Sequence, residues 1–206
     1  MIRLSDKKSI VVFGGSFNPP HNSHFSTAQQ VLNQYEEVEK VVFIPVNNKY
    51  EKSGLEENKH RYNMLKLVID KNSNFILSDI DMNGKRALYT IETLEEIQKC
   101  FKDKQICFLI GSDNLKELHT WKRAEELLSK YKILVMGRNE DKIEEIIEQN
   151  ELLKSYRENI RKLEEGIRSN FSSTYIRTQI KKQKSVRYLM PDEVYNYIKT
   201  NNLYIE

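Results

Sequence analysis

The stretch Ile10-Val11-Val12-Phe13-Gly14-Gly15-Ser16-Phe17-Asn18-Pro19-Pro20-His21-Asn22-Ser23-His24 decides the fold. Its first four residues are apolar without alternation, which reads as a strand buried on both faces. The paired glycines end that strand, where the backbone turns tightly and a ligand can approach it closely. Asn18 and the two prolines mark a turn just ahead of a helix. His21 and His24 stand three residues apart at the helix start, a spacing that puts both imidazoles on one face. Free backbone N–H groups in the turn and the positive end of the helix dipole suit an anion. The stretch has neither the Gly-Lys-Ser/Thr of a Walker loop nor the G-x-G-x-x-G of a dinucleotide fold. Two readings fit these residues: a phosphate cradle with two imidazole donors, or a plain strand–turn–helix junction with two surface histidines.

Outward from this stretch, similar apolar runs recur at Val41-Val42-Phe43-Ile44, Phe75-Ile76-Leu77, Ile106-Cys107-Phe108-Leu109-Ile110 and Ile133-Leu134-Val135-Met136. Between them lie helical patterns. Phe25, Ala28, Val31, Leu32 and Tyr35 share one face, as do Tyr62, Leu65 and Ile69, and Ile91, Leu94 and Ile97. Leu115, Leu118, Leu127 and Leu128 continue the pattern before the fifth run. Strand and helix in alternation predict an α/β fold: a Rossmann-like, doubly wound parallel sheet of five to six strands with helices on both faces. Ligands of such folds bind at the carboxyl ends of the strands, so the loops after Phe13, Ile44 and Ile110 are the ones to watch.

The segment 138–168 is dense in Glu, Lys and Arg. Leu153, Tyr156, Ile160, Leu163 and Ile167 are spaced as on a helix seam, and the expectation is a solvated helix packed on the domain. Residues 190–204 predict a closing helix, with Pro191 near its start and Val194, Tyr195, Ile198 and Leu203 on its apolar face. No Pro/Gly/Ser linker divides the chain, so residues 1–206 are read as one domain, with a helical part over 171–206.

The chain has 206 residues, 39% hydrophobic and 31% charged, a composition too apolar for disorder. Lys and Arg number 33 against 30 acidic residues, for a net charge of +3, which argues against a dedicated nucleic-acid binder but allows a local basic pocket. Cys100 and Cys107 are the only cysteines and form no C-x-x-C, so neither a disulfide scaffold nor a protein-held metal site is expected. The polar start lacks the apolar core of a signal peptide, and no apolar run reaches the ~20 residues of a membrane span. The expectation is a cytoplasmic protein with no membrane partner; a homo-oligomer is compatible with the sequence.

Gly14 to His24 resembles the signature of the H-x-G-H nucleotidyltransferases, and its G-G-S-F-N-P-P-H form resembles the nicotinate/nicotinamide mononucleotide adenylyltransferases. Five further segments fit that family in order. Ala87 to Leu94, with Tyr89-Thr90, resembles its S-Y-T-x-x-T-L, and Ile110-Gly111-Ser112-Asp113 its I-G-A-D. His119-Thr120-Trp121 resembles its H-x-W. Phe171-Ser172-Ser173-Thr174-Tyr175-Ile176-Arg177 resembles its I-S-S-T-x-I-R, and the following Val186 to Pro191 its R-Y-L-V-P. The family's Gly between the histidines is Ser23 here. Nearly the whole chain is covered.

The resemblance implies a reaction of ATP with a pyridine mononucleotide, giving a dinucleotide and pyrophosphate. The nucleophile is a phosphate already ionised at neutral pH, so the protein must position two polyanions and stabilise charge rather than remove a proton. By resemblance, His21, His24 and Arg177 act on the phosphates, with His24 the transition-state donor. Gly14, Ser16 and Phe17 line the cradle, Gly111 and Asp113 take the adenosine, and Ser172, Ser173 and Thr174 form the opposite wall for ATP. Trp121 stacks on the pyridine ring, with Thr90 near its substituent. Mg²⁺ is expected on the substrate phosphates.

Pro45 to Leu55 departs from the P-x-x-P-H-K of the nicotinate enzymes and is similar to the P-V-x-D-x-Y-x-K-x-G-L of the nicotinamide type, which would bring Lys52 to a phosphate. The closing Asn202-Leu203-Tyr204 resembles that type as well. The ring-proximal segments outweigh the loop and the chain end, so nicotinate mononucleotide is the expected substrate and nicotinamide mononucleotide the alternative. Another nucleotidyltransferase of the superfamily, acting on phosphopantetheine or a lipid head-group precursor, and a non-catalytic nucleotide sensor are the remaining readings. Trp121 with Tyr89-Thr90 argues against the former, and the intact His21, His24 and Arg177 against the latter. The same resemblance places a sixth strand near residues 159–163, in conflict with the helix seam, and of the two the strand is favoured.

Overall fold

A computed structural model of the chain describes residues 4–49, 54–84, 86–137, 141–164 and 172–205. The five apolar runs all form strands. In chain order the elements are β1 (Ser9–Gly15), α1 (Asn22–Gln34), β2 (Val38–Pro45), α2 (Asn58–Ile69), β3 (Phe75–Leu77), α3 (Thr90–Cys100) and β4 (Gln105–Gly111). There follow α4 (Ser112–Glu117), α5 (Ala124–Lys130), β5 (Lys132–Met136), α6 (Ile143–Glu148), α7 (Glu151–Ser155), β6 (Ile160–Lys162), α8 (Ser173–Lys181) and α9 (Asp192–Thr200).

Six parallel strands lie in the order β3-β2-β1-β4-β5-β6. The chain builds outward from β1 to β3, returns to β4 beside β1, and builds outward again. The reversal between β1 and β4 opens a crevice at their carboxyl ends, where the helices on the two sides diverge. Gly14 and Gly15 end one of these strands and Gly111 the other.

Both faces of the sheet are covered, which is why its strands read as continuous apolar runs. Ile10 and Val12 of β1 pack with Ile106, Phe108 and Ile133 under α3 and α5. Val11 and Phe13 point the other way, to Leu109, Leu134 and the apolar sides of α1 and α2. The C-terminal helices form a third cluster, in which Ile176, Val194, Ile198 and Leu203 close over Met64 of α2. Pro191 caps α9 at its N-terminus, as the closing-helix pattern predicts.

The charged segment departs from the helix-seam reading and agrees with the sixth strand that the resemblance places near residues 159–163. The seam does not run as one helix: α7 ends at Ser155, a 3-10 turn follows at Arg157–Asn159, and Ile160–Lys162 is strand β6 on the sheet edge. Ile160 pairs with Ile133 and belongs to one core cluster, while Leu163 is buried in the other. Residues three apart on a strand face opposite sides, so the helix-like spacing was produced by a strand that feeds both cores. Ile167 lies outside the described residues.

Candidate active site

The turn after β1 is held by packing and by hydrogen bonds from three other segments. Phe17 sits in the left-handed region at φ 45° and is 1% exposed. Its ring folds back on Gly15, where a Cβ would lie 3.1 Å from it, so a side chain there would require the packed Phe17 ring to give way by a few tenths of an ångström. The same ring meets the His24 ring edge-on at 4.9 Å between centroids. Gly14 is less constrained by the protein, since a Cβ would meet the Phe108 ring at an ordinary 3.5 Å.

His21 is the N-cap of α1 and is 5% exposed; His24 occupies the third helical position. Nδ1 of His24 accepts the backbone N–H of His21 at 3.1 Å. The two rings stack with centroids 3.8 Å apart and planes 30° from parallel. A backbone N–H can only donate, so His24 Nδ1 is the bare nitrogen and the neutral ring carries its proton on Nε2. The sequence spacing put both imidazoles on one face, and the fold brings them into contact.

From the other side, α8 starts against this turn. Ser172 caps the helix, its Oγ accepting the N–H of Tyr175 at 3.2 Å, as the Ser/Thr cap signal predicts. Ser173 Oγ donates to the Pro19 carbonyl at 2.9 Å. Arg177 Nη1 donates to the Asn18 carbonyl at 2.7 Å, and its Nη2 to Thr174 Oγ1 at 3.3 Å. His21, His24, Gly14, Ser16 and Phe17 therefore share one turn with Ser173 and Arg177, although more than 150 residues separate the two groups in sequence.

Gly111 caps the short helix α4, which begins beside the crevice. Ser112 Oγ donates to Asp141 at 2.6 Å and Lys116 Nζ pairs with the same carboxylate at 2.7 Å, while Asp113 is exposed on the first turn. Trp121 is half-buried, its ring 6.3 Å from that of Phe108, the side chain that a Cβ at Gly14 would meet. Thr90 begins α3. Its approach is fixed by Asp81, which is 4% exposed and accepts the N–H of Asn47 at 3.2 Å and of Leu88 at 2.7 Å, tying that loop to the end of β2. At the same helix start Glu92 accepts the Tyr89 N–H at 2.8 Å and a two-pronged pair from Arg86. The Arg86 bonds, then the backbone N–H, hold its carboxyl down to about 2. Lys52 lies outside the described residues, as does Phe171.

The sequence reading missed the residues that support the turn. Arg61, on α2, is completely buried. Its Nε donates to the Glu56 carbonyl at 2.9 Å, Nη1 to the Ser16 carbonyl at 2.8 Å, and Nη2 to the Val46 carbonyl, Asn48 Oδ1 and Asn58 Oδ1 at 2.6–2.7 Å. Burial pulls its pKa below the usual arginine value. Asn18 is 2% exposed and equally committed: Oδ1 accepts the Glu56 N–H at 3.1 Å and the Tyr204 hydroxyl at 2.9 Å, while Nδ2 donates to the Gly54 carbonyl at 2.8 Å. Only the turn propensity of Asn18 was visible in sequence; its partners are too far along the chain to read.

This geometry has known counterparts. The profile of the family described as cytidylyltransferase-like matches residues 12–179, from the core of β1 through α8. The chain belongs to that family. Among curated members, it is 34% identical over 197 residues to a protein of Clostridium botulinum named "Probable nicotinate-nucleotide adenylyltransferase", covering 94% of this chain and 97% of that one. A Caldicellulosiruptor bescii protein of the same name is 35% identical over 196 residues, covering 95% and 98%. A solved structure of Plasmodium falciparum nicotinic acid mononucleotide adenylyltransferase, complexed with NaAD, superposes with a TM-score of 0.76 at 20% identity, over 96% of this chain and 97% of that one. These matches bear out the family and the fold expected from the motifs. Among the described residues, no helix is long and apolar enough to cross a membrane.

Proposed function

We propose that the chain joins ATP to nicotinate mononucleotide, forming deamido-NAD and releasing pyrophosphate. The observation that carries this reading is the convergence of two stacked imidazoles and Arg177 on the turn that closes β1 at the sheet's reversal point. An oxygen of the mononucleotide phosphate attacks the α-phosphorus of ATP, and the bond to the bridging oxygen of pyrophosphate breaks. No proton has to leave the nucleophile, so a site built from donors suffices. In this reading His24 offers its Nε2–H to the charge that builds on the phosphates, and His21 flanks it. Arg177 supplies the fixed cation of the opposite wall, with Ser172, Ser173 and Thr174 at its helix start.

Gly14, Ser16 and Phe17 shape the cradle, Gly111 and Asp113 receive the adenosine, and Trp121 with Thr90 receives the pyridine ring, with Lys52 reaching a phosphate. Mg²⁺ fits as a passenger of ATP: the cradle side chains are imidazoles, hydroxyls and a guanidinium, and the described residues contain no group of three or more His, Cys, Asp or Glu suited to hold a metal. When bound, it would offset phosphate charge.

The names of the curated relatives and the P. falciparum structure favour the nicotinate form over the amide. A coupled assay for dinucleotide with ATP and each mononucleotide in turn tests both levels of the proposal. Product with either mononucleotide supports the reaction, and a higher kcat/KM with nicotinate mononucleotide supports the substrate. A higher value with nicotinamide mononucleotide reverses the substrate assignment, and absence of product with both rejects the function.

A further inference from the structure

Tyr204 lies beyond α9, 186 residues from Asn18 in sequence, yet its hydroxyl ends 2.9 Å from Asn18 Oδ1. The direction of that bond is determined. Oδ1 also accepts the backbone N–H of Glu56, so it is the oxygen, and Tyr204 must be the donor. Burial pushes the Tyr204 phenol well above its ordinary pKa, so the donor proton stays in place at any working pH. Leu203, 6% exposed in the third core cluster, anchors the segment that delivers the ring. On its other side, the same Asn18 presents its carbonyl to Arg177 Nη1.

The geometry points to Tyr204 as a positioning residue: by clamping the Asn18 side chain, its hydroxyl fixes the carbonyl that aims the Arg177 guanidinium across the cradle. This inference rests on the placement of Arg177 in the phosphate site made above. The Asn18 carbonyl holds Nη1 at 2.7 Å and Thr174 Oγ1 holds Nη2 more loosely at 3.3 Å, which restricts the rotamers of a long side chain and leaves the remaining N–H groups in a defined orientation. Without the clamp the turn keeps Arg61 and the Glu56 N–H, so the fold survives while the aim of Arg177 loosens.

The test is a double-mutant cycle of Tyr204→Phe and Arg177→Ala, read as kcat and KM in the dinucleotide assay and as Kd for a non-hydrolysable ATP analogue by calorimetry. Tyr204→Phe keeps the ring and its packing, and is expected to lower kcat/KM about five- to tenfold, the scale of one lost hydrogen bond. In the Arg177→Ala background its effect is expected to shrink below twofold, because the clamp then has nothing to aim. Ile147→Ala, on α6 in the first core cluster and outside the site, is the control for stability: it empties part of a buried core, lowers the melting temperature further than Tyr204→Phe does, and leaves kcat/KM within twofold at temperatures well below melting. Equal and additive losses in the two backgrounds overturn the proposal, as does an effect that tracks melting temperature across Tyr204→Phe and Ile147→Ala. If the wild type makes no dinucleotide, the proposed function fails by itself, and the same cycle on analogue Kd decides the role of Tyr204; a wild type that also binds no analogue overturns that role.

Discussion

His24 accepts the backbone N–H of His21, and through that bond the pair proposed as phosphate donors is also the cap of α1. The cap fixes the tautomer of His24, and its ring stacks on that of His21 with centroids 3.8 Å apart. Substitution separates the two roles. His24→Gln places a side-chain oxygen where the third helical position can still take the N-cap N–H. It is expected to retain the melting temperature within a few degrees and to lose about 10²–10³-fold in kcat. His24→Ala is expected to lose as much activity and, in addition, about 1 kcal/mol of stability from the vacated cap. Activity of His24→Gln within threefold of wild type would remove the imidazole from the mechanism.

Arg61 makes a different demand. Its five donated bonds end on carbonyls and amide oxygens in the segments that flank the cradle. Arg61→Ala leaves these acceptors without a donor in a buried place and opens a cavity, so the expected loss is about 4 kcal/mol or more. Urea unfolding at neutral pH measures it, and a loss below about 1 kcal/mol would show that the surrounding loops close without the guanidinium.

Glu92 gives the start of α3 a pH dependence. Its carboxyl is held at about 2, against 4.5 for an unperturbed glutamate. A folded-state value below the unfolded one stabilises the fold above the unfolded pKa, and that contribution fades as the pH falls from 4.5 toward 2. Glu92→Gln is therefore expected to be less stable than wild type at pH 7, with the two unfolding curves converging as the pH is lowered to 2. A constant gap across that range would contradict the pairing with Arg86.

Ser23 occupies the place where the family motif carries glycine. Its Oγ is enclosed and has no hydrogen-bond partner among the described residues. Ser23→Ala removes a buried hydroxyl and introduces a better helix former, so it is expected to raise stability by about 1 kcal/mol in urea unfolding. A destabilised variant would show that the hydroxyl is satisfied in solution.

The sheet was legible because its strands are sandwiched: Ile10 to Phe13 and Ile106 to Ile110 need apolar residues on both faces, and no solvated helix shows such runs. The helix start at His21 and the cap at Ser172 were legible because their signals are local. β6 was obscured because Ile160 and Leu163 serve opposite faces at a spacing that a helix also produces. Arg61 was hidden for another reason. A charged residue next to Tyr62 reads as the solvated side of α2, and only the carbonyls that surround it, from Ser16 to Glu56, explain its burial. Asn18 and Tyr204 meet across almost the whole chain, and no local pattern records such a pair.

The strand order has a consequence for how the chain is made. β1 forms early beside β2, but its other edge must wait for β4, since Ile10 pairs with Ile106 and Phe13 with Leu109. During synthesis the leading half carries a raw apolar strand edge through the emergence of β2, β3 and α3, the sort of edge along which nascent chains stick to one another. The centre of the finished molecule is thus a seam left unsewn while both of its flanks toward β3 are already made, and the speed at which residues 46–104 emerge sets how long it lies open.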